Sequence, residues 1–129
     1  MITSYDPEKA PDSESWLALD ESEKHILVSK YHEQEENMDV DDSQGRVHCM
    51  IQATVETQVA MGDETPVAEA INRLMNQGLD RHQALHAVAS ILIKHISNIW
   101  NTQGNAGGNE AYFNEVRNLS AQKWYDQFS

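Results

Sequence analysis

The sequence predicts an all-α fold, a small helical bundle of five to six helices with a central antiparallel helix pair and no sheet. Three observations carry that expectation. No stretch alternates apolar and polar residues in twos, the mark of a half-buried strand. Two stretches, Val67 to Met75 and Leu85 to Ile99, instead repeat apolar residues at helical spacing. Residue pairs that cap helix starts, Asp20 with Glu23 and Asp80 with Gln83, stand where such helices should begin.

Taken in order, residues 1–12 form an irregular N-terminal arm, because Pro7 and Pro11 each disfavour helix in the residue before them. Ser13 is placed to cap a short helix, SESWLAL, ending at Leu19. The Asp20/Glu23 box then opens a helix over residues 21–33, with Ile26, Leu27, Lys30 and Tyr31 as its apolar or semi-apolar stripe. Residues 33–46, EQEENMDVDDSQGR, are acidic and almost without apolar groups, so they are expected to be a mobile linker. They are not a calcium loop: the glycine and the closing glutamate that such a loop needs fall at Gln44 and Met50.

From Val47 to Met61, positions 47, 51, 55 and 59 make an apolar helix face, which Gly62 and Asp63 end. Thr65 and Pro66 supply an N-cap and a first helical residue. Val67, Ala70, Ile71, Leu74 and Met75 then fall at i, i+3, i+4, i+7 and i+8. Gly78 closes that helix, and Asp80 opens the longest one. Its Leu85, Val88, Ala89, Leu92, Ile96 and Ile99 lie within about 100° of arc. Two such helices joined by a short turn should pack as an antiparallel pair. Residues 102–109 are a glycine-rich loop without a phosphate-cradling motif. Residues 110–129 make a C-terminal helical tail that buries Tyr112, Phe113, Val116 and Leu119, breaks near Ser120, and docks through Trp124 and Phe128.

The 129 residues suffice for one domain with one modest core. The formal charge of −12 is concentrated early, with 13 acids against 4 bases in residues 1–46 and 8 against 5 thereafter. Such a surface repels phosphate, so nucleic acid and anionic membranes are not expected partners. The lone cysteine, Cys49, leaves no internal disulfide and reads as a structural thiol. No run approaches the roughly 20 apolar residues of a membrane span, and the expected setting is the cytoplasm.

One local arrangement could carry chemistry. His82 and His86 are one helical turn apart and project from the same side of their helix, beside its apolar face. That spacing suits two imidazoles on one metal ion. His95 falls toward the opposite edge and is a poor further ligand. Better donors stand on the helix starting near Val47, where His48, Gln52 and Glu56 form a line at i, i+4 and i+8. His48, Glu56, His82 and His86, with Gln52 as a possible addition, are therefore the candidate ligands for Zn, Mn or Fe. HQALH also differs by one residue from the HExxH zinc-peptidase pattern. Gln83 replaces the general-base glutamate, and a neutral amide does not accept a proton from metal-bound water.

The segments YDPEKAPDSESWLALDESE and VHCMIQATVETQVAMGDETPVAEAINRLMNQGLDRHQALHAVASIL together resemble a bacterial family known as domain of unknown function 1841. They cover about two-thirds of the chain, and the most specific parts are ETQVAMGDETPV and RLMNQGLDRHQALHA. The resemblance implies the helical fold and places His48, Glu56, His82 and His86 at the family's polar positions. Gln52 and Gln83 stand where the family usually has His and Glu. It implies no activity.

Three functions are compatible with these residues. The first is a non-catalytic protein-interaction or structural module, with a protein partner or a second copy of itself, favoured by small size, acidic charge and the lack of a complete catalytic set. The second is a helical metal-binding protein with a His/Glu site formed by two facing helices. The third is a metal-dependent hydrolase using that site.

Overall fold

The computed structural model describes residues 2–101 and 109–128, and the side chains within them except at 98–101, 109, 127 and 128. The stretch 102–108 and the side chains of Ile99, Trp100 and Phe128 thus lie outside the described residues. The described residues form seven α-helices and one 3-10 turn, with no strand. In order these are α1 Ser13–Ala18, α2 Glu21–Glu35, α3 Ser43–Ala60, the turn Gly62–Glu64, α4 Val67–Asn76, α5 Arg81–Asn101, α6 Asn109–Asn118 and α7 Ala121–Phe128. The count exceeds the expected five to six because the tail breaks fully at Ser120 into two helices. None of the described helices is long and apolar enough to cross a membrane.

Capping chemistry fixes most of the helix starts. Asp12, not Ser13, caps α1, its carboxylate accepting from the Ser15 backbone N–H at 3.0 Å. The box at α2 is complete: Asp20 accepts from the Glu23 N–H at 2.8 Å, and Glu23 accepts from the Asp20 N–H at 3.0 Å. Asp80 and Gln83 repeat the same exchange at α5. At α4 the helix begins one residue later than expected, with Thr65 Oγ1 accepting from the Val67 N–H at 3.2 Å.

The acidic segment is the main correction to the expected fold. α2 runs to Glu35 and α3 begins at Ser43, so only residues 36–42 connect them. That connection is packed. Val40 is buried, Asp42 caps α3 through the Gly45 N–H, and the backbone at Asp39 lies so close to Gly45 that a Cβ there would meet its carbonyl oxygen at 2.1 Å. Glycine is required by that approach, and charge-rich composition concealed it.

α3, rather than the α4/α5 pair, is the hub of the bundle: it packs against α1, α2, α4 and α5. It buries two sides. Ile51 and Val55 join an aliphatic core with Val67, Ile71, Leu74, Leu85 and Val88. Cys49 and Ala53 join a second core with Tyr5, Trp16, Leu27 and Val28. Val47, placed on the apolar face from the sequence, is exposed because that face is rotated toward Cys49 and Ile51. α4 and α5 pack together as expected across the turn at Gly78, whose φ of +110° suits glycine. The tail docks on them through Tyr112, Val116 and Leu119, and through Arg73, whose guanidinium donates to the Val116 and Leu119 carbonyls. Trp16 is fully enclosed and donates to Thr57 Oγ1 at 3.1 Å, while Trp124 packs against the aliphatic core.

Candidate metal centre

Where α2, α3 and α5 meet, four of the six histidines converge: His32, His48, His82 and His86. Ring centroids are 4.6 Å apart for His32 and His48, 5.2 Å for His48 and His86, and 4.3 Å for His82 and His86. The one-turn spacing on α5 brings the last pair together. α3 supplies His48 from the face that leads to Cys49 and Gln52. α2 supplies His32, one turn beyond Val28 and on the same buried side.

The donor atoms point inward. The Val28 carbonyl accepts from His32 Nδ1–H at 2.9 Å, which leaves the Nε2 lone pair of neutral His32 facing the cluster. His48 Nε2 is 3.0 Å from that atom, so in the neutral pair His48 donates and His32 accepts. His82 Nε2 and His86 Nε2 are buried and have no hydrogen-bond partner among the described residues. Glu36, the residue that caps the C-terminus of α2, brings a carboxylate to 3.4 Å from His32 Nε2 and 3.7 Å from His82 Nε2. One donor atom each from His32, His48 and His86, or from His32, Glu36 and His82, lie within 4.8 Å of one another.

Electrostatics favour uncharged imidazoles at the inner end. Burial, then the neighbouring His82, His48 and His32, push His86 down to about 4. Burial, and next the adjacent His32, lower His48. Neutral rings keep the lone pairs that a metal ion needs. Nitrogens bound to a tetrahedral ion at about 2.0–2.1 Å stand about 3.3 Å apart. The 3.0 Å separation of the two Nε2 atoms is close to that value. The His32 contact to a backbone carbonyl is of the kind that orients histidines in metal sites. The residues present fit a divalent transition ion.

Of the residues singled out from the sequence, His48, His82 and His86 meet here. Glu56 and Gln52 do not. Gln52 lies one turn and Glu56 two turns along α3, in a separate network in which Gln52 Oε1 is buried without a hydrogen-bond partner among the described residues. Arg81 donates to both Glu56 oxygens, at 2.8 and 2.7 Å, and to the Pro7 carbonyl at 2.9 Å. Tyr5 donates to Glu56 at 2.5 Å and accepts from Gln52 Nε2 at 3.0 Å. Burial, then the Glu56 carboxylate beside it, raise the Tyr5 hydroxyl well above its usual range, so it stays protonated. Three charge-assisted hydrogen bonds, two from a bidentate guanidinium and one from a phenol, tie the Glu56 carboxylate to Arg81 and Tyr5 and not to the histidines. Glu56 is therefore a structural counter-ion, and Gln52 is its neighbour's partner.

His95 is on the far side, bonded to Glu115 at 3.2 Å. Burial holds the Cys49 thiol above its ordinary value, consistent with a structural role. The residues that sequence reasoning missed are His32 and Glu36. Their signal was the spacing Val28, His32, Glu36 on one face, obscured by ending the helix at residue 33. Comparison of the chain with protein-family models, with curated proteins and with solved structures gives no match.

Proposed function

We propose that this protein binds one divalent transition-metal ion per chain in the histidine cluster, with His32, His48 and His86 as ligands and His82 and Glu36 beside them. The observation that carries the reading is the pair of buried ring nitrogens, His82 Nε2 and His86 Nε2, that have no hydrogen bond among the described residues and stand next to the His32–His48 contact. A buried polar atom without a partner costs about 1–3 kcal/mol. A cation seated on His32, His48 and His86 would give His86 Nε2 a partner and would lie beside His82 Nε2. Imidazole-rich donor sets suit zinc or iron better than manganese, which prefers oxygen. The ion would supply a Lewis-acidic centre cross-linking α2, α3 and α5.

This reading ranks above the interaction-module expectation, which rests on size and charge rather than on a built site. Catalysis is not part of the proposal: the Gln83 side-chain oxygen is held in the α5 cap by the Asp80 N–H at 3.0 Å. The kinship with the domain of unknown function 1841 family belongs to the same proposal, since three of its four matched polar positions are cluster members.

The test is metal titration of tag-free, chelator-treated protein with Zn²⁺ and Fe²⁺, read by elemental analysis and thermal unfolding. One ion per chain is expected. Saturation at about 100 times Kd should add about 2.7 kcal/mol of stability. The effect should vanish in the double variant His32→Ala/His86→Ala. Substoichiometric metal with no change in unfolding would overturn the proposal.

A further inference from the structure

The two ligand triplets overlap in a single residue. His32, His48 and His86 form one, and His32, Glu36 and His82 form the other. His32 has one nitrogen to give, because its Nδ1–H is bound to the Val28 carbonyl. One ion can therefore occupy either triplet, but two ions cannot share His32 through one lone pair.

The two ends differ in chemistry and in access. The imidazole end has only nitrogen donors. The carboxylate end has Glu36, an exposed residue, and lies beside a concentration of acids. Glu8 accepts from the His82 backbone N–H at 2.8 Å. The Tyr31 ring makes edge contacts with both His32 and His82, and burial, then the Glu36, Asp6, Glu35 and Glu8 carboxylates, raise its hydroxyl above the usual range. This end of the cluster has the sign and the exposure that draw in a cation.

The backbone fixes where Glu36 sits while leaving its side chain partly exposed, at 31 %. Asn37 has φ +52°, the left-handed turn that ends α2, and the Glu36 and Met38 N–H groups both donate to the His32 carbonyl at 3.1 Å. Glu36 is thus tied to the same residue that the two triplets share.

Resting on the metal-binding reading, we propose that the cluster is a two-seat path for a divalent cation. The ion is captured by Glu36, His82 and His32, then passes to His32, His48 and His86 without leaving His32. Glu36 governs how fast the ion loads and unloads, while His86 governs how tightly it is held. A hard carboxylate oxygen with water access exchanges a hydrated ion, and the imidazole set retains it.

The test uses full-length protein and Zn²⁺ alone, with stopped-flow loading, release to a chromophoric chelator, and equilibrium titration. Glu36→Gln should slow loading and release together by about tenfold or more while Kd changes less than about threefold. Glu36→Asp should recover most of the rate. His86→Ala should weaken Kd by about 10–100-fold and leave loading within about threefold of the parent. Circular dichroism confirms that each variant is folded. If the parent chain binds no Zn²⁺, the metal-binding reading itself fails. If it binds but Glu36→Gln leaves the loading rate unchanged, with or without a weaker Kd, the metal centre stands and the two-seat path is overturned.

Discussion

The two cores on either side of α3 are made of different materials. On the α4–α5–α6 side, Val55, Val67, Leu74, Leu85, Val88 and Val116 are fully buried in an aliphatic interior. On the α2 and N-terminal side, Trp16 and Val28 share the interior with His32, while Gln52, Glu56 and Arg81 are buried at the seam. The first core is held by the removal of apolar area from water. The second depends on each polar group finding its partner, since buried polar groups are costly when left alone. An aliphatic core tolerates approximate fit; a polar one is sensitive to the loss of a single atom's charge.

Substitutions can break that comparison. Glu56→Gln keeps the shape of the side chain but leaves the buried Arg81 without a counter-ion. A loss of about 3–5 kcal/mol is expected by urea unfolding. Leu74→Ala on the aliphatic side should cost about 3 kcal/mol through its cavity alone. A cost for Glu56→Gln below about 1 kcal/mol would show that the polar network adds little and that the two sides are alike.

The pH dependence sharpens the same contrast. His86 sits at about 4 in the folded chain, and an unfolded histidine titrates near about 6.5. Between those values the unfolded state binds the extra proton, so stability rises with pH across the window and falls on acidification. In chelator, the metal-free protein should lose on the order of 2–3 kcal/mol from this group between about pH 6.5 and 4, with no further loss from it below. The lowered His48 adds in the same direction. His86→Gln should flatten the slope measured by chemical denaturation at each pH. An unchanged slope would place the acid sensitivity elsewhere.

Two smaller effects test how the polar side is assembled. Gly45→Ala forces a Cβ against the Asp39 backbone. It should cost about 1–3 kcal/mol, lowering the thermal midpoint, whereas a solvated linker would give no change. Gln83→Ala removes one half of the α5 capping box and should cost about 1 kcal/mol. Zn²⁺ affinity in that variant should be retained, because the amide serves the helix end and not the ion.

What could be read without coordinates follows from the range of each interaction. Helix periodicity and capping are local, so Val67–Met75, the Asp20/Glu23 box and the Asp80/Gln83 box were legible within a few residues of chain. The all-α class came from the same signals. The His82/His86 pair was also local, because one turn of helix fixes it. The placement of His48 near that pair was an expectation that depended on how α3 is rotated about its axis.

The sequence by itself determined the helices and half of the candidate metal centre. Only the tertiary structure decided that His32 and Glu36 complete the cluster and that Glu56 belongs to Arg81 and Tyr5. The reason is physical: α3 carries His48, Gln52 and Glu56 in one line, and nothing local assigns each to a partner. Tyr5, His32 and Arg81 come from distant parts of the chain. Packing set those partners, giving Glu56 a guanidinium and leaving His48 facing imidazoles.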